Sequence, residues 1–481
     1  MSRLGFVSSK CFSLARKPSF AIVRRTFLSE AYQCKEAWEK RLESPLLKKV
    51  NVQTLYQEID WQYSNDGHVS ALDVDIFINA NTEKGFMEDV EDVIMKLRRS
   101  PDTTNTLSST HHAAIRILLE AGETKTLLKI ISDRLTHGIF PDHFCANLLM
   151  DRFLKEKNFA AAARVAVLQM FQEDWENILT TRLAMYSCHM YLKHSDQQWY
   201  HENEIVPPVP EPKEVVKVRV KHLKNPYFDD HFDLKDPLLI VGKTLCMFNS
   251  KIGGSEQLVS SYSLLGLTLH QKWDQVLDLV NLWTKSKKVI HSEAIQLAKK
   301  FLEVKPVADE PVAEDSKSSK SAKPDPQKEA KEAALKAELE IKQKVSEALS
   351  SLEAFASSDD LLAEMASLVQ EAVKLHEGAE IEEQKKLYSI WEEERVAKLR
   401  AVQEEFRKQE ALKRIEEQKR ELAEKEKEIF FFENEDKLDL MIESKEEALA
   451  NITAEKSEVK EDKSLKDANY IPPEVFKRQK Q

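Results

Sequence analysis

Ser108-Ser109-Thr110-His111-His112 opens a stretch of 35 residues that Gly138-Ile139-Phe140-Pro141-Asp142 closes, and at His143 a second stretch starts in the same register and runs into Asn147-Leu148-Leu149-Met150-Asp151. The reading of this pair decides the fold. Gly122 falls mid-stretch, where a first helix would end, and Gly138 with Pro141 falls at the close, where a second helix would stop. Each unit therefore reads as a helix-turn-helix. Two short helices cannot seal a core by themselves, so such units stack and bury their apolar faces on one another. Stacks present long concave surfaces suited to polymers, and one class of stacked helical hairpin reads single-stranded RNA one base per repeat.

Outward from this pair, residues 68 to 102 read as an earlier, degenerate repeat, with Lys84-Gly85 mid-unit and Pro101-Asp102 at its close. Residues 30 to 60 read as a leading helix with Trp38, Leu42, Leu46, Leu47 and Val50 as apolar positions, bent or broken at Pro45. After Met150 the series Phe153, Leu154, Phe159, Ala162, Val165 and Leu168 follows helical spacing, and Lys157-Asn158 supplies the turn. A further helix occupies 175 to 200. The whole of 30–204 is thus expected to be a helical-repeat domain, with units near 108–142 and 143–177.

Val206-Pro207-Pro208-Val209-Pro210-Glu211-Pro212 begins a different texture, because each proline fixes φ and pushes the residue before it out of the helical region. Behind it, valines alternate with bases in Val216-Lys217-Val218-Arg219-Val220-Lys221. Period-two alternation places Lys217, Arg219 and Lys221 on one face, either against phosphate or as a solvated, aggregation-resistant edge. Residues 205–235 therefore read as a Pro-rich, basic extension, and 236–304 as a return to helices. Val241-Gly242-Lys243-Thr244 resembles the end of a phosphate-binding loop, but Pro237 stands where that loop needs glycine, so the segment reads as the start of a helix.

Pro306, Pro311, Pro324 and Pro326 with a Ser-Lys cluster mark 305–332 as a flexible linker. Residues 333–450 then read as a charged helical docking rod, amphipathic from about Ala333 to His376 and strongly charged from Glu380 onward. Glu394 and Lys398, Glu404 and Lys408, Glu410 and Arg414, and Glu416 and Arg420 are spaced i, i+4, each pair adding about 0.2–0.5 kcal/mol to an isolated helix. Its apolar series slips out of heptad register between Phe406 and Leu412, which argues against a stable homodimeric coiled coil and for no obligate homo-oligomer. The last segment, 451–481, is expected to be mostly disordered, with Tyr470 to Phe476 as a short docking peptide.

Charge and composition bound the function. The chain of 481 residues carries −11 overall; residues 1 to 29 contribute +6, 30 to 300 contribute −4 and 301 to 481 contribute −13. The first 29 residues hold Arg3, Lys10, Arg16, Lys17, Arg24 and Arg25 and no acid, which is the make-up of a mitochondrial presequence cut near Arg25-Thr26-Phe27-Leu28. A chain so acidic beyond that point is a poor general RNA binder, so RNA contact must be local. No apolar run reaches a membrane span. Five cysteines without a C-x-x-C pair suit a reducing compartment. His111-His112 and Cys188-His189 lack the further ligands of a metal site, and no nucleophile-base constellation stands out. Neither catalysis nor a cofactor is expected.

The segment His137 to Met150, the junction Arg25-Thr26-Phe27-Leu28-Ser29-Glu30-Ala31-Tyr32 and the late charged helix together resemble the pentatricopeptide-repeat family of the animal mitochondrial small ribosomal subunit, conventionally the twenty-seventh of that set. The likeness covers about 26 to 200 and, more loosely, 236 to 300 and 335 to 415; it leaves out 205–235 and everything past 430. The resemblance implies an all-α fold, a short helical-hairpin solenoid followed by a charged long-helix region. It also implies a non-enzymatic matrix protein of the small subunit that touches ribosomal RNA, neighbours other mitochondrial ribosomal proteins and supports translation. In base-reading members of the wider superfamily the fifth and last residues of a unit meet the base edge, which here are His112 and Asp142 in one unit and Asn147 in the next. Asn147 fits that role, since an amide both donates and accepts; His112 departs from it. The alternatives are that Asn147 bonds within the stack, and that the chain is a free mitochondrial factor controlling a transcript's stability or translation.

Overall fold

The computed structural model describes residues 27–82, 84–199, 229, 231–303 and 340–463. The Pro-rich run, the strip Lys217, Arg219 and Lys221, the linker 305–332 and nearly all of the expected presequence lie outside the described residues. The chain divides into two units, the first ending at Val396 and the second starting at Ala397.

In the first unit the described residues are almost all helical. The helices are α1 (Lys35–Glu39), α2 (Val52–Asp66), α3 (Ala71–Ala80), α4 (Met87–Arg99), α5 (Ser108–Ala121), α6 (Thr124–Ser132), α7 (His143–Lys155), α8 (Phe159–Phe171) and α9 (Ile178–Lys193). They continue with α10 (Pro237–Asn249), α11 (Glu256–Leu269), α12 (Trp273–Ser286), α13 (Ser292–Glu303), α14 (340–352) and the start of α15 (Leu361–Lys463). A two-residue parallel pairing of β1 (Ile290–His291) with β2 (Ala356–Ser357) is the sheet found among the described residues.

Side chains that compete with the helical backbone mark the junctions. Asp142 accepts from Cys145 N at 2.7 Å, Asn158 from Ala161 N at 3.1 Å and Asn177 from Thr180 N at 3.0 Å, so α7, α8 and α9 each begin on a capping residue. Each such cap stabilises its helix by about 1 kcal/mol. Gly122 ends α5 with φ +84, a conformation that a side chain would strain. The helices stack in order: α3 packs on α5, α7 on α8 and α9, α8 on α10, α10 on α11 and α11 on α13. One continuous apolar core runs through the stack, from Leu28 to Val373.

The run Phe159-Ala160-Ala161-Ala162-Ala163 is buried on every side, and its small side chains let α7 and α9 close in on α8. Arg164 is buried in the same helix and donates to Ser132 Oγ at 2.8 Å and to the Trp199 carbonyl at 3.1 Å, tying the end of one hairpin to the next. Where α10 crosses α11, Gly242 and Gly266 face each other; a Cβ at Gly242 would lie 2.6 Å from His270 N and 2.6 Å from Leu269 Cβ. Gly242 is therefore a crossing point inside a helix rather than a phosphate cradle.

Three local expectations are corrected. Residues 30–60 do not form one leading helix: 3-10 turns at Glu30–Gln33, Lys40–Glu43 and Leu47–Lys49 flank the short α1, and α2 begins only after the Asn51 cap. The helix expected from 333 to 376 is broken by a 3-10 turn at Glu353–Phe355 and by β2. The helix expected to end near 450 continues to Lys463.

The second unit is the continuation of α15. Nearly every described side chain in it is exposed, among them Phe406, Leu412, Ile415, Leu422 and Phe430. Among the described residues, no helix is long and apolar enough to cross a membrane.

Candidate nucleic-acid interface

If the repeats read bases, His112 and Asn147 should open onto a groove along α5 and α7. Within the first unit, the beginning of α15 lies over these positions instead. Its inward positions, Leu361, Met365, Val369, Ala372, Glu380, Gln384, Tyr388, Trp391 and Arg395, are three or four residues apart, with one step of eight, two helical turns, from Ala372 to Glu380. That spacing gives one continuous face. The face is apolar up to Val373 and then changes to polar and aromatic.

The polar half engages the repeat positions directly. Asn147 is fully buried, and its Nδ2 donates to Tyr32 Oη at 3.1 Å and to Glu380 Oε2 at 3.4 Å. Tyr32 Oη donates to the same Glu380 oxygen at 2.6 Å, and burial together with the Glu380 charge raises the phenol well above its ordinary pKa. Asn177, the α9 cap, donates to the other Glu380 oxygen at 2.7 Å. One carboxylate from α15 thus collects three donors, two of them at the starts of neighbouring hairpins. Charge-assisted bonds of this kind are about twice as strong as neutral ones.

His112 is buried to 1% exposure, with Nε2 3.0 Å from Tyr388 Oη and Nδ1 3.3 Å from Asp142 Oδ2. Its ring packs against Trp391 at 5.1 Å, Tyr388 at 5.4 Å, Trp38 at 5.6 Å and Phe144 at 5.8 Å between centroids. A planar ring held among aromatics is how a flipped base would sit; here the pocket's occupant is the protein's own histidine. Asp142 sits at the rim with 42% of its side chain open to water. Desolvation pushes its carboxyl up, but the hydrogen bonds from His112 and from the Cys145 amide outweigh it and bring the pKa down to about 2.

His112, Asp142 and Cys145 place their ligand-type atoms within 4.8 Å of one another. Hydrogen bonding accounts for that closeness. Cys145 Sγ lies 3.2 Å from His112 Nδ1, Asp142 Oδ1 caps α7, and burial raises the thiol well above its ordinary pKa, away from the thiolate a metal or a substrate would need.

Further along α15, Arg395 reaches Asp75 on α3, Nε to Oδ2 at 2.6 Å, with Arg395 4% and Asp75 0% exposed. Asp75 also accepts from Ser109 Oγ at 2.5 Å, Thr110 Oγ1 at 2.8 Å and Asn79 Nδ2 at 3.0 Å. Four donors therefore converge on this buried carboxylate, three of them on Oδ1 and the cation on Oδ2. Arg116 makes the matching contact on α5, donating to Tyr388 Oη at 2.8 Å, to Glu120 at 3.1 Å and to the Gln33 carbonyl.

The family model for mitochondrial 28S ribosomal protein S27 matches residues 2–424. The chain belongs to this family. It is accordingly a mitochondrial protein of the small ribosomal subunit, and the mitochondrial 28S ribosomal protein S27 match takes in both the hairpin stack and the part of α15 that lies over it.

The structure brings His112 and Asp142 into contact, places Asn147 in the first turns of the helix that Asp142 caps, on Tyr32 and Glu380, and leaves Lys217, Arg219 and Lys221 outside the described residues. Sequence reasoning did not find Tyr32, Asp75, Glu380, Tyr388 or Arg395. A signal was present: Tyr388, Trp391 and Arg395 stand at i, i+3 and i+7, a helical face with two large aromatics set in a run of charge.

A cleft of about 260 Å³ remains open beside this face, lined by Tyr32, Lys35, Arg116, Glu120, Arg152 and Lys155 among others. Its bases are partly matched already, because Lys155 pairs with Asp151 at 2.7 Å and Arg152 with Glu156 at 2.5 Å.

Proposed function

We propose that this chain is a structural component of the small subunit in the mitochondrial matrix, a scaffold that supports translation without reading bases through its repeats. The observation that carries this reading is the engagement of Asn147 and His112 by Glu380 and Tyr388. A base edge would have to displace the half-buried Glu380 carboxylate from its three donors before any contact with RNA is made.

RNA contact is then local and electrostatic. The strip Lys217, Arg219 and Lys221 provides it, because it concentrates positive charge in a chain whose net charge is −11. Neighbouring ribosomal proteins are met through the second unit, where α15 keeps its apolar side chains exposed. A presequence is removed ahead of Phe27, since Phe27 and Leu28 already belong to the fold: both amides donate to Asp151 Oδ1, at 3.1 and 3.3 Å.

The decisive experiment is gradient sedimentation of a mitochondrial lysate with and without magnesium chelation, followed by RNA crosslinking of a Lys217→Glu, Arg219→Glu, Lys221→Glu variant. Salt-resistant co-migration with the small subunit, with RNA adducts reduced at least severalfold in the variant, is the expected result. An RNase-sensitive species near the top of the gradient would make the chain a free transcript-binding factor. Unchanged crosslinking would remove the strip from the account.

A further inference from the structure

The second unit carries an apolar stripe that the family match does not reach, since the match stops at residue 424. At about 100° per residue along α15, Phe430, Phe431, Asn434, Leu438, Met441, Ile442, Lys445, Leu449 and Ile452 fall within an arc of about 120°. Most of the stripe is bare, with Phe430 58% exposed, Met441 60%, Ile442 52% and Leu449 61%, while Asn434 and Leu438 are half-buried. In the same turns the seven carboxylates Glu433, Glu435, Asp436, Asp439, Glu443, Glu446 and Glu447 all fall in the opposite arc of about 160°, which they share with Ile429, Phe432 and Leu440. The carboxylates are therefore confined to one side of the helix, and the opposite side is apolar and free of acids.

Earlier in the same unit the apolar series lost its heptad register at Phe406 to Leu412. From Phe431 the register is regular, with Phe431, Leu438, Lys445 and Ile452 seven apart and Asn434, Met441 and Ala448 interleaved. This is the pattern of a helix that lies in a seam.

The sorting of charge selects the occupant. An RNA backbone would meet seven carboxylates, and helices that lie on anionic membranes carry Lys and Arg on their polar face rather than acids. In a parallel pair of copies Lys445 would face Lys445, and two acidic helices would repel at distances inside the ~8 Å screening length. A protein surface with an apolar groove and basic rims meets neither obstacle. We infer that residues 430–452 are a docking helix for a basic, apolar-grooved protein of the same ribosomal subunit, with the Phe431-Leu438-Met441 stripe in the groove and the carboxylates against Lys and Arg at its edges. This inference rests on the docking role proposed above and specifies which segment docks and what chemistry receives it.

The experiment uses the full-length chain assembled into the subunit, with a benzophenone amino acid placed at Leu438 on the stripe or at Asp439 on the acidic side. On irradiation, Leu438 is expected to give an adduct with one small-subunit protein, attached at a segment flanked by Lys and Arg, and Asp439 is expected to give at least about tenfold less. Glu433→Lys, Glu435→Lys and Glu446→Lys, at the carboxylates that flank the stripe, together should cut the Leu438 adduct severalfold and make what remains more salt-sensitive. An adduct with a second copy, RNA or lipid, or no adduct while the chain still co-sediments with the subunit, overturns this inference and leaves the docking role standing. Failure of the unlabelled chain to co-sediment overturns both.

Discussion

The pair Asp75 and Arg395 shows how far one residue's role can depend on another's. Asp75 is fully buried on α3 with three neutral donors, and one cation, Arg395, satisfies its charge. Replacing the arginine by an apolar residue leaves a charged carboxylate in the core, at a cost of about 3–5 kcal/mol, whereas removing both charges leaves hydrogen-bonding partners of similar size. Arg395→Met is therefore expected to lower the unfolding free energy by that amount, and Asp75→Asn with Arg395→Met to recover more than half of the loss. Chemical denaturation of the four proteins of the cycle measures this. Additive losses would show that the two groups act independently. None of this was legible beforehand. Asp75 reads as a polar interruption of an apolar helix, and Arg395 as one charge in a run of charges, because the pairing joins positions with no local pattern in common.

Single glycines decide geometry at the scale of elements. Gly242 stands in a segment that reads in sequence as the start of a helix rather than a phosphate loop, and the structure gives it a packing role where α10 crosses α11 against Gly266. Because a Cβ there would press on the backbone of Leu269 and His270 rather than on a movable side chain, Gly242→Ala should destabilise the protein by about 1–3 kcal/mol. Gly85, with nothing within 4 Å of an added Cβ, is the matched control, and Gly85→Ala should shift the thermal midpoint much less. A melting curve of each variant settles the contrast; equal shifts would mean that the crossing can relax. The helices themselves were largely legible. Gly122 marks the end of α5, Asp142 the start of α7 and Lys157-Asn158 the turn into α8, because turn and cap chemistry is local; α6 stops at Ser132, short of the Gly138 and Pro141 expected to end it. The leading helix expected over 30–60 was not legible for the opposite reason. Those residues are shaped by what they cover: Trp38 is buried against His112 and Tyr388, so short turns that aim it inward win over a straight helix.

At the scale of the whole molecule, one long helix has two regimes. Between Leu361 and Arg395 one face of the helix is buried or half-buried, while from Val402 onward most of the large apolar side chains are about half exposed or more. Hydrogen exchange of the free chain should register this as a step: amides of 361–395 need the packed face to open, and those of 402–454 need only local fraying, so the second set should exchange faster by about tenfold or more. Uniform protection along the helix would contradict that reading. Of the candidate interface, the positions His112, Asp142 and Asn147 were legible from the repeat register. Their partners were not, since Glu380 and Tyr388 come from more than 200 residues further on.

The Asp75–Arg395 contact also imposes an order in time. Its partners are 320 positions apart, and the length-dependent entropy of closing such a loop is on the order of 5 kcal/mol. A chain drawn into the matrix by the presequence proposed above delivers α3 well before Arg395 arrives. During that interval the hairpins can stack, but Asp75, Asn147 and His112 remain open to water along an unfinished surface. The newborn stack is therefore a different molecule from the finished one. Its vulnerable period is fixed by how long residue 395 takes to arrive where the stack is folding.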